Sequence, residues 1–150
     1  MADSRIYPDR PFLAVSAAII RDGRVLVVQR ARSPAAGLFT LPGGVVECGE
    51  TLEEAITREV LEETALSIEP VGLAGHREVI ACDAEKRVER HFVILSFAAR
   101  WLAGEPQLNE ELAAAQWLHP ADIAGLETTA GLDEIVAEAF RRVECGPDRP

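Results

Sequence analysis

The sequence predicts an α/β domain in which a mixed β-sheet carries helices on its faces, and three observations lead there. Apolar runs of strand length are interleaved with segments of helical period. Short turn signals join some of those runs into hairpins. The chain has 150 residues, 48% of them apolar, which suits a single domain over 1–150 with a core at about 11–142.

The elements follow in order. Residues 1–10 carry no period and read as a loose arm. Residues 12–20 (FLAVSAAII) are apolar with small side chains, as expected of a buried strand. Asp22-Gly23 is a turn signal, and residues 25–29 (VLVVQ) complete a hairpin. Residues 31–37, with Ser33, Pro34 and Gly37, form a loop. Residues 39–41 make a short strand running into Pro42-Gly43-Gly44, which no helix tolerates. The clearest helix is at 49–66, where Thr51 and Glu54 have capping-box spacing. Residues 71–81 and 90–99 are longer strands with a polar turn at 83–86. Residues 101–107 and 108–115 read as irregular, 116–118 as a short strand, and 120–123 as the start of a turn or short helix. Residues 132–142 form an amphipathic helix, followed by a disordered tail at 145–150.

Composition narrows the function. A net charge of −10 argues against a nucleic-acid polymer or an anionic membrane as partner. An acidic protein acting on an anionic substrate needs a bridging cation, and a divalent metal is the usual one. Cys48, Cys82 and Cys145 have neither disulfide-framework nor zinc-ligand spacing. No apolar run has signal-peptide or membrane-spanning length, so a cytoplasmic protein is expected.

The chemistry is concentrated on the helix at 49–66. Leu52, Ile56, Glu59 and Glu63 recur at steps of three or four and share a face, flanked by Ala55 and Glu62. The apolar stripe therefore runs into carboxylates, whereas a solvated charged face would lie opposite it. Glu59, Glu62 and Glu63 are expected together at a cleft edge, where mutual repulsion calls for a cation. Oxygen ligands favour Mg²⁺ or Mn²⁺.

Gly44, Glu50 and the run Arg58-Glu59-Val60-Leu61-Glu62-Glu63-Thr64-Ala65-Leu66 resemble the signature of the Nudix hydrolases, with Ala65 where that family usually has Gly. The resemblance implies an α/β/α sandwich with a mixed sheet between helices. It also implies that Glu59, Glu62, Glu63 and the Gly43 carbonyl bind the metal, and that Arg58 and Glu50 hold the cluster in place. The expected reaction is Mg²⁺- or Mn²⁺-dependent attack of water on a pyrophosphate, with no covalent nucleophile. Cys48, between acidic neighbours, reads as structural.

In the family the base is either a carboxylate of the signature, here Glu59, or a Glu in a loop before the last short strand, here Glu110 or Glu111. Arg30, Arg32 and Phe39 are the candidates for substrate contact. His76 and His91 read as structural or pocket-lining, and Phe92, Phe97, Trp101 and Trp117 as packing residues. Beyond the signature, residues 90–101, 104–106 and 117–122 are similar to ADP-ribose pyrophosphatase and MutT-like members. The resemblance thus implies a nucleoside diphosphate derivative as substrate, ADP-ribose or a similar nucleotide sugar first. The alternatives are a MutT-type hydrolase of (oxidised) nucleoside triphosphates and an inactive nucleotide-binding sensor. A homodimer is expected from many relatives.

Overall fold

The computed structural model describes residues 5–32 and 35–145. The expected arm at 1–4, Ser33 and Pro34 of the first loop, and the tail at 146–150 lie outside the described residues. The strands are β1 (Phe12–Arg21), β2 (Arg24–Arg30), β3 (Phe39–Thr40), β4 (Gly43–Val45), β5 (Ser67–Cys82), β6 (Val88–Ala103) and β7 (Leu112–Leu118). The helices are α1 (Leu52–Thr64) and α2 (Leu132–Cys145), with a 3₁₀ turn at Pro120–Gly125. The sheet order is β3-β2-β1-β6-β5, with β4 added beside β1 and β7 beside β2. β1 and β6 run parallel and the other pairs antiparallel, so the sheet is mixed as expected.

The continuous apolar character of β1 has a direct cause. Val15, Ala17 and Ile19 point into one core with Ala55, Ile56 and Val60 of α1. Ala18 and Ile20 point into a second core with Leu132, Ile135, Val136 and Ala139 of α2. A strand covered on both faces has no solvent side and loses its alternation. The β1–β2 turn places Asp22 at φ 50° and Gly23 at φ 75°, the left-handed pair that matches the twist of a two-residue hairpin. Thr51 caps α1 by accepting from the Glu54 N–H at 3.1 Å.

Several expectations need correction. Residues 101–103 are not irregular: β6 runs to Ala103, and Trp101 pairs with Ile68. β5 starts at Ser67, before the expected 71, and carries Pro70 and Gly72 at a register shift, so residues that normally stop a strand only bend it. Residues 112–115 also belong to a strand, because β7 pairs with the outer side of β2 from Leu112 onward. Its Ala-rich sequence has weak strand preference, and the partner supplies what propensity does not. The arm is not loose from residue 5 onward: the Tyr7 N–H donates to Glu89 O at 2.8 Å and its hydroxyl to Asp83 Oδ2 at 2.9 Å. Cys145 closes α2 and does not begin a disordered tail.

Ala65, standing where the resembled signature has Gly, ends α1 at φ 65° with its N–H on Leu61 O. A left-handed alanine carries a steric penalty that glycine avoids. Ala65→Gly is therefore expected to stabilise the protein by about 0.5–1 kcal/mol in urea unfolding. A loss of stability would contradict the view that the cap is strained.

Candidate active site

Two glycines set the site. Gly43 pairs with Ser16 across β4 and β1, and a Cβ there would run into the Val15 carbonyl and lie 2.7 Å from Ser16 Cα. Gly44 meets the helix instead: a Cβ would overlap the Glu59 carboxyl group, 2.6 Å from Oε1. The pair lets β4 press against β1 and lets Glu59 lie flat on the strand. The sequence marks these glycines as helix-incompatible, but not Gly44 as the seat of a carboxylate. An uninterrupted Gly-Gly ahead of an acidic helix is the available signal.

Arg58 organises what surrounds them. Its Nε donates to Glu50 Oε2 at 2.6 Å and its Nη2 to Glu50 Oε1 at 2.8 Å, a two-point clamp. Nη2 also donates to Val45 O at 3.2 Å, tying α1 to β4. Nη1 reaches Glu59 Oε1 at 3.0 Å and Glu62 Oε2 at 3.2 Å. The Arg58 guanidinium holds the Glu50 carboxyl down at about 2, so that carboxyl stays ionised. Glu50 in turn raises the pKa of Arg58 further above its ordinary value.

The signature carboxylates differ in environment. The Glu59 side chain is 19% exposed and Glu63 is 7% exposed, whereas the Glu62 side chain is 61% exposed. Glu59 and Glu63 thus lie on the buried side of α1 as expected, and Glu62 turns outward to Arg58. Burial pushes the Glu59 carboxyl up despite Arg58. Burial also pushes Glu63 up to about 7, against the opposing Gly43 N–H, which donates to Oε2 at 2.9 Å. The negative charges of Glu59 and Glu111 add to that rise, and Arg30 opposes it. Arg30 and Glu111 therefore stand within electrostatic reach of the site.

The other sequence candidates are less closely gathered. Arg32 and Glu110 pair with each other at 3.2 Å on the surface. Phe39 is half-buried on the α2 side of the sheet. Phe97 is core at 4% exposure, Trp101 and Trp117 pack beside the α1 core, and the Arg21 guanidinium lies 3.9 Å from the Trp101 ring centre. His76 is exposed and His91 half-exposed. All three cysteines are free and exposed.

The donor chemistry suits a hard divalent cation. Two desolvated carboxylates lie against neighbouring glycines, Glu63 on the Gly43 N–H and Glu59 against Gly44, and burial pushes both carboxyls up. Among the described residues, no three His, Cys, Asp or Glu side chains converge in this arrangement as a ready metal cluster, and Glu62 bonds Arg58. Such a site could neutralise the oxygens of a pyrophosphate.

Comparison with known proteins agrees. Residues 10–139 match the NUDIX domain. An ADP-ribose pyrophosphatase of Methanocaldococcus jannaschii is 34% identical over 136 residues, 91% of this chain and 76% of the relative. The crystal structure of a MutT NUDIX hydrolase from Burkholderia pseudomallei superposes with a TM-score of 0.69 at 31% identity, covering 90% of this chain and 99% of that one. The NUDIX domain of Shewanella oneidensis NrtR, in complex with ADP ribose, gives 0.69 at 25% identity over 90% of each chain. Other curated relatives are longer, and the chain spans between 38% and 49% of the length of several of them.

With its carboxyl at about 7 when folded and 4.5 ordinarily, Glu63 holds a proton in the folded protein that the unfolded chain has released in that window. In EDTA, stability should fall as pH rises through the window, by at most about 3 kcal/mol from this residue. Urea unfolding of wild type and Glu63→Gln at about pH 5 and about pH 8 measures it. The same fall in both proteins would contradict the assignment.

Proposed function

This chain belongs to the NUDIX family and is a hydrolase of that family, and on that premise we propose that it uses Mg²⁺ or Mn²⁺ to cleave the pyrophosphate bond of a nucleoside diphosphate derivative. ADP-ribose or a similar nucleotide sugar is the preferred substrate. One observation carries the reading: Arg58 clamps Glu50 and steers Glu59, while Glu63 lies desolvated on the Gly43 N–H and Glu59 against Gly44. Glu59, Glu62, Glu63 and the Gly43 carbonyl would hold the metal. A bound divalent ion neutralises pyrophosphate oxygens and acidifies water.

The remaining work falls to the chain. Arg58 is a positioning residue, fixing the Glu59 carboxylate without competing for the metal. Arg30, whose charge is felt at Glu63, supplies positive potential for a substrate phosphate. Of the two loop carboxylates, Glu111 is the better base, because its charge reaches Glu63 while Glu110 faces Arg32. The 34%-identical pyrophosphatase and the NUDIX domain bound to ADP ribose support the nucleotide-sugar reading. A nucleoside triphosphate, the MutT-type substrate, is the second reading, and the likeness to a MutT NUDIX hydrolase supports it. The presence of Glu50, Arg58, Glu59, Glu62 and Glu63 together speaks against an inactive sensor. No described helix is long and apolar enough to cross a membrane, and the free thiols support a reducing, cytoplasmic setting.

Phosphate release with a coupled phosphatase, over ADP-ribose, other nucleotide sugars, dinucleoside polyphosphates and dNTPs, tests the substrate class. Turnover of ADP-ribose with Mg²⁺ and none with EDTA is expected. Faster turnover of dNTPs would replace the first reading with the second, and none at all with Mg²⁺ or Mn²⁺ would overturn both. On the best substrate, Glu59→Gln and Glu111→Gln should each lower kcat about 100-fold or more with the fold intact. Full activity in Glu111→Gln would return the base role to Glu59.

A further inference from the structure

The sheet register places the cation of Arg77 on the face that α2 leaves open. Strand partners share a face. Gly75, Ser96, Ser16 and Gly43 therefore form one row across β5, β6, β1 and β4, and Arg77, Ile94, Ala14 and Val45 form the next. Val79, Phe92 and Phe12 form a third. The 2.8 Å contact between the Ser16 and Ser96 hydroxyls agrees with the first row. α2 covers this face up to Gly75, where an added Cβ would lie 3.2 Å from Ile135 Cγ1. Beyond it, Arg77, Val79, Phe92, Ile94, Phe12 and Val45 are all only half-buried.

Within this apolar strip, Arg77 has no hydrogen bond or ion pair among the described residues. Burial alone lowers its pKa, so nothing near it offsets the lost water. A guanidinium does not deprotonate, so a half-buried one without a partner calls for an acceptor from elsewhere. The strip begins at Gly43, which also belongs to the catalytic site, and Arg77 lies three strands away, about 14 Å at the usual strand spacing.

We propose that this strip receives the nucleobase of the substrate, and that Arg77 recognises the acceptor edge of that base. The inference rests on the nucleotide reading above. A lone phosphate would lose its water for one cation amid aliphatic and aromatic carbon. A planar base instead buries its faces on Phe92, Ile94 and Val79 and presents ring acceptors to the guanidinium fork. The Phe12 and Phe92 rings, 5.9 Å apart, close the end of the strip.

Calorimetric titration of AMP, GMP and ribose 5-phosphate in EDTA tests this without needing turnover. Arg77→Met should weaken AMP or GMP about tenfold and leave ribose 5-phosphate within about twofold. Arg77→Lys, which keeps the charge without the fork, should recover only part of the loss. With a hydrolysed nucleotide, Arg77→Met should raise KM and leave kcat within about twofold. Equal weakening of ribose 5-phosphate would make Arg77 a phosphate contact and overturn the proposal. So would unchanged affinity for both nucleotides, or no nucleotide binding by wild type. An inactive wild type that still shows the Arg77-dependent preference would sink the proposed pyrophosphate cleavage alone.

Discussion

Arg58 is the cation on which the rest of the site depends. It lies on α1, yet its five donors reach the loop before the helix, the strand β4 and two carboxylates of its own helix. Without it, Glu50, Glu59 and Glu62 would crowd with nothing between them. With it, Glu50 is fixed as a permanently ionised partner and Glu59 is aimed at Gly44. What Arg58 does not supply is charge for Glu63, the most buried of the carboxylates. On the proposed function, a divalent ion would make up that shortage and give an acidic protein a way to approach an anionic substrate.

Much of this was legible in the sequence because it is local. The helix, its Thr51 cap, the inward position of Glu59 and Glu63 and the pairing of Arg58 with Glu50 all follow from spacing within about a score of residues and from the resemblance those residues carry. The burial of β1 was legible too, since its apolar run has no polar alternation, and the structure adds that both faces are covered.

What escaped the sequence is non-local. β7 is a strand because β2 offers it an edge, and nothing in Leu112–Leu118 itself says so strongly. β5 continues through Pro70 and Gly72 because β6 holds it on the other side. Glu62 shares the helical stripe on paper, but the angular width of that stripe puts it at the rim, where Arg58 draws it outward. Gly44 as the seat of Glu59, and Arg77 on the opposite face as a cation without a partner among the described residues, depend on which strands lie side by side. The proposed catalytic and recognition parts thus meet at Gly43, where β4 joins β1.

On the proposed function, a divalent cation completes the pair formed by Glu63, on the Gly43 N–H, and Glu59, against Gly44. The most direct measurement is a crystal structure of the protein soaked in Mn²⁺, read by anomalous scattering. A peak is expected at coordinating distance, about 2.1–2.3 Å, from carboxylate oxygens of both residues and from the Gly43 carbonyl. Manganese bound only elsewhere, with Glu59 and Glu63 left unligated at saturating metal, would contradict it.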